Sequence, residues 1–258
     1  MAWGRIALVG LLAGLTSGLF GVGGGLVIVP GLALFVGFPH KVATGTSLTG
    51  IIPIAIAGVG GYATGGEVDW PAALCVSIGA IVGAVAGTRL LVSARTAWLQ
   101  LGFAGLTFAV AVRLFLGEVE SSGRAELTVV MALGMVLLGL ASGLIAGLLG
   151  VGGGIIIVPA LTLLFGLPHV VAKGTSLAAI VPTAVMGTAR NRRSGLTALP
   201  AAVILGASGV LSAVAGARLS LVLDATIAQG LFAVLLAVTA MRLARDGLRG
   251  RRADSGEL

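Results

Sequence analysis

Residues 21–47 read GVGGGLVIVPGLALFVGFPHKVATGTS, and residues 150–176 read GVGGGIIIVPALTLLFGLPHVVAKGTS. From Gly10 to Ile56 the chain repeats itself at an offset of 129 residues, with 28 identities in 47 ungapped positions. The register continues more weakly beyond, where Gly66 meets Gly195, Pro71 meets Pro200 and Arg89 meets Arg218. A duplication of this kind requires a fold assembled from two like units. They cover roughly residues 3–113 and 132–242. Because the segment from Gly10 matches one from Gly139 deep in the chain, the first apolar run, after Arg5, reads as part of the folded protein and not as a cleavable leader.

The repeated unit is too apolar for water. Hydrophobic residues make up 57% of the 258 and charged ones 10%, against about 45–50% and about 25% in a soluble domain. A hydrocarbon core of about 30 Å takes about 20 apolar residues per helix, and such runs fill most of the chain from Trp3 to Met241. The expected class is all-α: a polytopic helical membrane protein of two inverted-topology repeats, each with about five apolar segments and glycine-broken helices. The net charge of +7 resides in a few loops and in the tail RLARDGLRGRR, 242–252. Clusters of that kind set membrane topology, so no nucleic-acid partner is expected. The single cysteine, Cys75, lies in an apolar run and reads as a packing residue.

Each half reads alike: a glycine-rich helix, the GVGGG break, a short apolar segment ending at Gly37 or Gly166, the polar knot PHKVATGTS or PHVVAKGTS opening a third helix, and two further spans. The expected divisions are a first membrane repeat over 1–116, an extracytoplasmic linker over 117–130, a second repeat over 131–242 and a basic cytoplasmic tail over 243–258. Charge orients the halves. The loop after the third helix is RNRRSG at 190–195 but GYATGGEVDW at 61–70, and cytoplasmic loops are those rich in Arg and Lys. Equivalent loops therefore face opposite sides, and both termini are expected in the cytoplasm of a multi-pass plasma-membrane protein. Five crossings per half satisfy this pattern and are the preferred reading. Parity equally allows each glycine-broken pair to enter and leave on one face.

The chemistry concentrates in the repeated stretch. Non-helical backbone inside lipid survives only where protein or a watery cavity covers it, and three consecutive glycines, Gly23, Gly24 and Gly25 or Gly152, Gly153 and Gly154, break a helix strongly. The next helix then opens on bare N–H groups, where an anion is favoured. Thr46 and Ser47, with Thr175 and Ser176, add hydroxyls suited to capping a helix and to an oxyanion. Paired interrupted segments of this kind point to a transporter's binding site. The nearby cations are His40, Lys41, His169 and Lys173, with Arg89 and Arg218 near the ends of apolar spans, and no acidic residue lies near the repeated stretch. Donors and cations without carboxylates suit an anion. Gly10, Gly14 and Gly18, like Gly79, Gly83 and Gly87, read instead as close helix packing.

Neither GVGGG is followed by the Lys-Ser or Lys-Thr of a phosphate loop, and GxGxxG is not matched. No HExxH, paired catalytic carboxylates or Ser/His/Asp set stands out, so neither enzyme, metal nor cofactor is expected.

The doubled GVGGG followed by VP, the PHxxAxGTS knot and the run of apolar segments resemble the sulfite exporter TauE/SafE family, over nearly the whole chain apart from the basic tail. That resemblance implies a permease for sulfur-containing anions such as sulfite, sulfoacetate and related sulfonates, with Gly21 to Gly25, Gly150 to Gly154, Thr46, Ser47, Thr175 and Ser176 at the family's motif positions. The partners expected are a small anion and the bilayer, with homo-oligomerisation left open. The other readings are a permease for different small organic anions and a non-transporting membrane assembly or partner subunit.

Overall fold

A computed structural model describes residues 3–93, 104–105, 108–109, 112 and 128–255, and every regular element among them is helical. In chain order these are α1 (Trp3–Phe20), α2 (Gly25–Gly31, continued by a π-helical turn, Leu32–Val36), α3 (His40–Ala63), α4 (Trp70–Ser93), α5 (Val129–Leu149), α6 (Gly154–Leu163), α7 (His169–Arg193), α8 (Leu199–Val222) and α9 (Ala225–Ser255). Most of the span expected over 96–116, and the acidic linker 117–126, lie outside the described residues. The chain forms two compact units, Met1–Val92 with Ser121–Val222 and Ser93–Glu120 with Leu223–Leu258. The first contains α1 to α8 and therefore draws on both halves of the duplication.

Sequence signals set the helix ends. Pro39 and Pro168 stand at the N-caps of α3 and α7 with φ of −54° and −53°, the angle the proline ring imposes. Both helices stop in the same turn: Gly66 and Gly195 take φ of 73° and 69°, and the amides of Glu67 and Leu196 return to the carbonyls of Tyr62 and Asn191 at 3.1 and 2.9 Å. Thr128 caps α5, accepting from the Met131 amide at 3.3 Å.

The glycine breaks reverse the chain. Gly21, Gly23 and Gly24 have φ of 73°, 80° and 76°, and Gly150, Gly152 and Gly153 have 71°, 89° and 84°, a region that L side chains avoid. Thereafter α2 runs back along α1. A Cβ on Gly24 would lie 2.7 Å from the Ala13 carbonyl oxygen, one on Gly31 2.7 Å from Val9, and Arg5 donates to the Phe35 carbonyl at 3.2 Å. The second copy matches, with Gly153 against Ser142 and Gly134 against Phe165. Each glycine-broken pair is thus a hairpin, and the preference for five straight crossings per half gives way to the hairpin reading. The 12 residues from Gly25 to Val36 reach about 18 Å, too short for a 30 Å core.

The halves interlock by exchanging equivalent contacts. Gly10, Gly14 and Gly18 of α1 lie on α8 at Leu205, Gly209 and Ala213, while Gly139, Gly143 and Gly147 of α5 lie on α4 at Val76, Ala80 and Ala84. Facing them, Gly79, Gly83 and Gly87 of α4 meet Val136, Leu140 and Leu144. These spaced glycines bring backbone against backbone, as small residues do between membrane helices. Gly58 of α3 meets Leu177 of α7, and Gly187 of α7 meets Leu48 of α3. Rising numbers on one helix meet falling numbers on the other, so these two equivalent helices run antiparallel.

Among the described residues, six helices are long and apolar enough to cross a bilayer: α1, α3, α4, α5, α7 and α8. The outer faces carry large bare side chains, such as Leu133, Leu137, Val203 and Leu211. Exposed apolar surface on this scale marks a lipid-facing protein, and the chain is a multi-pass membrane protein. In the second unit, Asp224 opens α9 by accepting from the Thr226 amide at 2.9 Å. That helix continues to Ser255, so most of the basic stretch expected as a tail from 243 prolongs a helix.

Candidate functional site

Where the two GVGGG breaks meet, the backbones touch. A Cβ on Gly25 would lie 2.6 Å from the Val151 Cα, and one on Gly154 2.5 Å from the Val22 Cα. All five residues of each break are buried. Gly24 and Gly153 are the N-caps of α2 and α6, and no side chain caps either helix. The first amides of a helix have no acceptor within it, so two sets of donors open into the protein interior. Gly23 and Gly152 both face Ile51 and Ile180, whose side-chain carbons would stand 3.2 to 3.6 Å from the added Cβ atoms. These two isoleucines, equivalent in the repeat, are wholly buried.

The hydroxyls of the GTS motifs join the halves. Ser47 donates to the Gly150 carbonyl at 2.8 Å, and Ser176 donates to the Gly21 carbonyl at 2.8 Å. Thr46 accepts from the Ala198 amide at 3.0 Å, and Thr175 accepts from the Asp69 amide at 2.9 Å. The motif was expected to open a helix. Instead α3 and α7 begin six residues before the threonine, at His40 and His169, so GTS lies in the helix interior and its hydroxyls brace loops of the opposite half. Ser47 and Ser176 each commit their one proton to a carbonyl, whereas Thr46 and Thr175 act as acceptors and keep theirs.

The expected cations separate by environment. Lys173 is wholly buried, the one charged side chain that is buried among the described residues. It packs against the break of the other half, its Cα 2.6 Å from where a Gly21 Cβ would stand, and its ammonium donates to Ser220 at 2.8 Å. His169, one turn earlier on α7, is half-buried. His40, Lys41, Arg89 and Arg218 are exposed, so the structure gathers the glycines, the GTS hydroxyls and Lys173 but leaves these four on the surface of the unit. Sequence reasoning did not single out Ile51, Ile180, Tyr62 or Ser220. Tyr62 is buried on α3 and donates to the Gly18 carbonyl at 2.6 Å. A signal was available: polar residues where the aligned copies disagree, Lys173 against Thr44, Tyr62 against Asn191 and Ser220 against Leu91.

The sequence model of one family, described as sulfite exporter TauE/SafE, matches residues 2–114 and 135–257. The chain belongs to the sulfite exporter TauE/SafE family. Among similar proteins is the probable membrane transporter protein YunE of Bacillus subtilis, 26% identical over 223 residues, which are 76% of this chain and 80% of that protein. A probable membrane transporter protein of Xylella fastidiosa is 32% identical over 192 residues, 72% of this chain and 73% of its own. The two family matches divide as the internal repeat does. As a TauE/SafE member with six candidate spans among the described residues, the protein is a membrane transporter.

Proposed function

We propose that this TauE/SafE transporter exports small sulfur-containing anions, such as sulfite or organosulfonates, across the plasma membrane. The proposed site is central, built on the paired GVGGG breaks and GTS motifs, and it opens to each side in turn as the two halves exchange conformations. One observation carries the reading. Two uncapped helix starts meet, with one buried lysine packed by its backbone on Gly21 of the first break, while all 9 Asp and Glu residues of the chain lie outside α1 to α8. Helix starts and ammonium groups attract negative charge. Antiparallel equivalent helices support inverted topology, since two equivalent conformations of the pair then face opposite sides. Arg192 and Arg193, exposed at the end of α7, support a cytoplasmic location for that end and for both termini, since cytoplasmic loops are the basic ones.

The test is flux in liposomes containing only this protein, against a panel of sulfite, methanesulfonate, sulfate and acetate. Sulfite and methanesulfonate are expected to move and sulfate and acetate to lag. Equal or faster movement of acetate would make it a permease for other organic anions. Absence of flux for the whole panel would favour the partner-subunit reading.

A further inference from the structure

Two buried side-chain hydrogen bonds lie where α7 packs on α3. The Lys173 ammonium donates to Ser220 Oγ at 2.8 Å, and Tyr62 Oη donates to the Gly18 carbonyl at 2.6 Å. Tyr62 stands beside the lysine: a Cβ on Gly174, the next residue, would lie 2.9 Å from the Tyr62 Cβ.

The duplication makes this pair of bonds conspicuous, because it exists once. At the equivalent positions of the other half stand Thr44, Leu91 and Asn191, which contain no charge. Of those, Thr44 Oγ1 and Asn191 Nδ2 are buried without a hydrogen-bond partner. Elsewhere the two halves exchange like contacts for like. Here a lysine at 0% exposure lies among helices that contain no Asp or Glu, where charge is costly; the loop with Glu67 and Asp69 touches the next two residues, Gly174 and Thr175, and the Asp69 carboxylate caps α4 by accepting from the Ala72 amide at 3.0 Å. An ammonium has three donors; Ser220 takes one.

We infer that Lys173 is the single charged anchor for the transported anion, held in place by its bond to Ser220 and flanked by Tyr62, and that the site therefore takes one singly charged oxyanion group, of the kind a sulfonate or bisulfite presents. This rests on the anion-transport reading above and deepens it. Lys173 contacts the ligand. Ser220 and Tyr62 are positioning residues that act through it. The neutral Thr44–Asn191 side supplies no second anchor, so one anion is bound per protein.

The experiment compares the full-length wild type with Lys173→Met, Lys173→Thr, Ser220→Ala, Ser220→Thr and Tyr62→Phe. Methanesulfonate, whose charge does not titrate, is the probe, and both flux and the ligand-induced rise in unfolding temperature are measured. Losing one charge-assisted contact should weaken binding roughly ten- to hundredfold in the two lysine variants. Ser220→Ala and Tyr62→Phe should raise the half-saturating concentration several-fold with the maximal rate largely kept, and Ser220→Thr should restore it. Arg192→Met, which removes one positive charge from the exposed end of the same helix, should change neither. Unaltered half-saturation in a folded Lys173→Met or Lys173→Thr protein would overturn the inference while leaving the transport reading intact. Should neither lysine variant fold, the Ser220 and Tyr62 pair decides, and normal half-saturation in both counts against it. A wild type that moves no anion yet is stabilised by methanesulfonate through Lys173 would overturn the transport reading alone. A wild type that neither moves nor binds methanesulfonate overturns both.

Discussion

Ser47 of the first half donates its hydroxyl proton to the carbonyl of Gly150 in the second, at 2.8 Å and wholly out of solvent. Its equivalent, Ser176, does the same to Gly21. Each bond satisfies a carbonyl exposed by the glycine break, and an unpaired buried acceptor costs about 1–3 kcal/mol. Ser47→Ala and Ser176→Ala should each lower stability by about that amount, measured as denaturant or thermal unfolding in detergent. Since both serines already use their proton, neither change should alter anion selectivity. A selectivity shift without a stability loss would show that these hydroxyls reach the substrate.

Among the glycines, crowding separates the replaceable from the fixed. Gly24, Gly153 and Gly37 all have positive φ, at 76°, 84° and 78°. A Cβ at Gly24 or Gly153 would lie 2.7 or 2.9 Å from a backbone oxygen, whereas at Gly37 nothing stands within 4 Å. Gly24→Val and Gly153→Val should therefore abolish flux and sharply lower the yield of folded protein. Gly37→Ala should cost only the left-handed backbone penalty, about 1–2 kcal/mol, and retain transport. Normal flux in both valine variants would mean that the breaks tolerate side chains and are not the site.

The packing glycines make a second contrast. Gly83 of α4 abuts the Leu140 backbone of α5, while Gly60, inside α3, has nothing within 4 Å. Gly83→Val should separate the two helices and destabilise the protein severely. Gly60→Ala, which exchanges glycine for a better helix former, should be neutral or stabilising by up to about 1 kcal/mol. Unfolding curves of the two variants side by side check this.

Topology can be read by labelling. Ala63 and Ser194 are exposed at the ends of α3 and α7, and those helices run antiparallel. In a background in which Cys75 is replaced by Ala, cysteine at 63 should react with an impermeant reagent from outside and cysteine at 194 only from inside. Labelling of both from one side would rule out the inverted orientation.

Driving force follows from charge. An interior negative by ~100 mV favours exit of each negative charge by about 2.3 kcal/mol, so a singly charged anion can be expelled against a gradient of roughly fiftyfold without a coupled ion. No helix from α1 to α8 contains a carboxylate to carry Na⁺. Exit from liposomes should speed up under an inside-negative potential and be indifferent to Na⁺. Strict dependence on a pH gradient, persisting after His40 and His169 are replaced by Gln, would sink uncoupled export.

The sequence by itself determined the membrane setting, the duplication and the positions of most breaks, because each is local: apolar run length, identity at a fixed offset, and Gly or Pro where the backbone demands them. It also marked Gly10, Gly14 and Gly18 as packing residues, since four-residue spacing puts them on one helix face. Only the tertiary structure decided that α2 folds back along α1, for loop charge constrains the parity of crossings and a hairpin leaves parity unchanged. Only it could show that Thr46 and Ser47 lie inside a helix and serve the opposite half, since their partners Ala198 and Gly150 are more than 100 residues away. And it alone distinguished Lys173 from Lys41. Both stand in the same repeated stretch and look alike in sequence, but one faces the interlocked backbones of the two halves and the other faces outward. Burial depends on which helices close around a position, and that is a property of the assembled pair of halves.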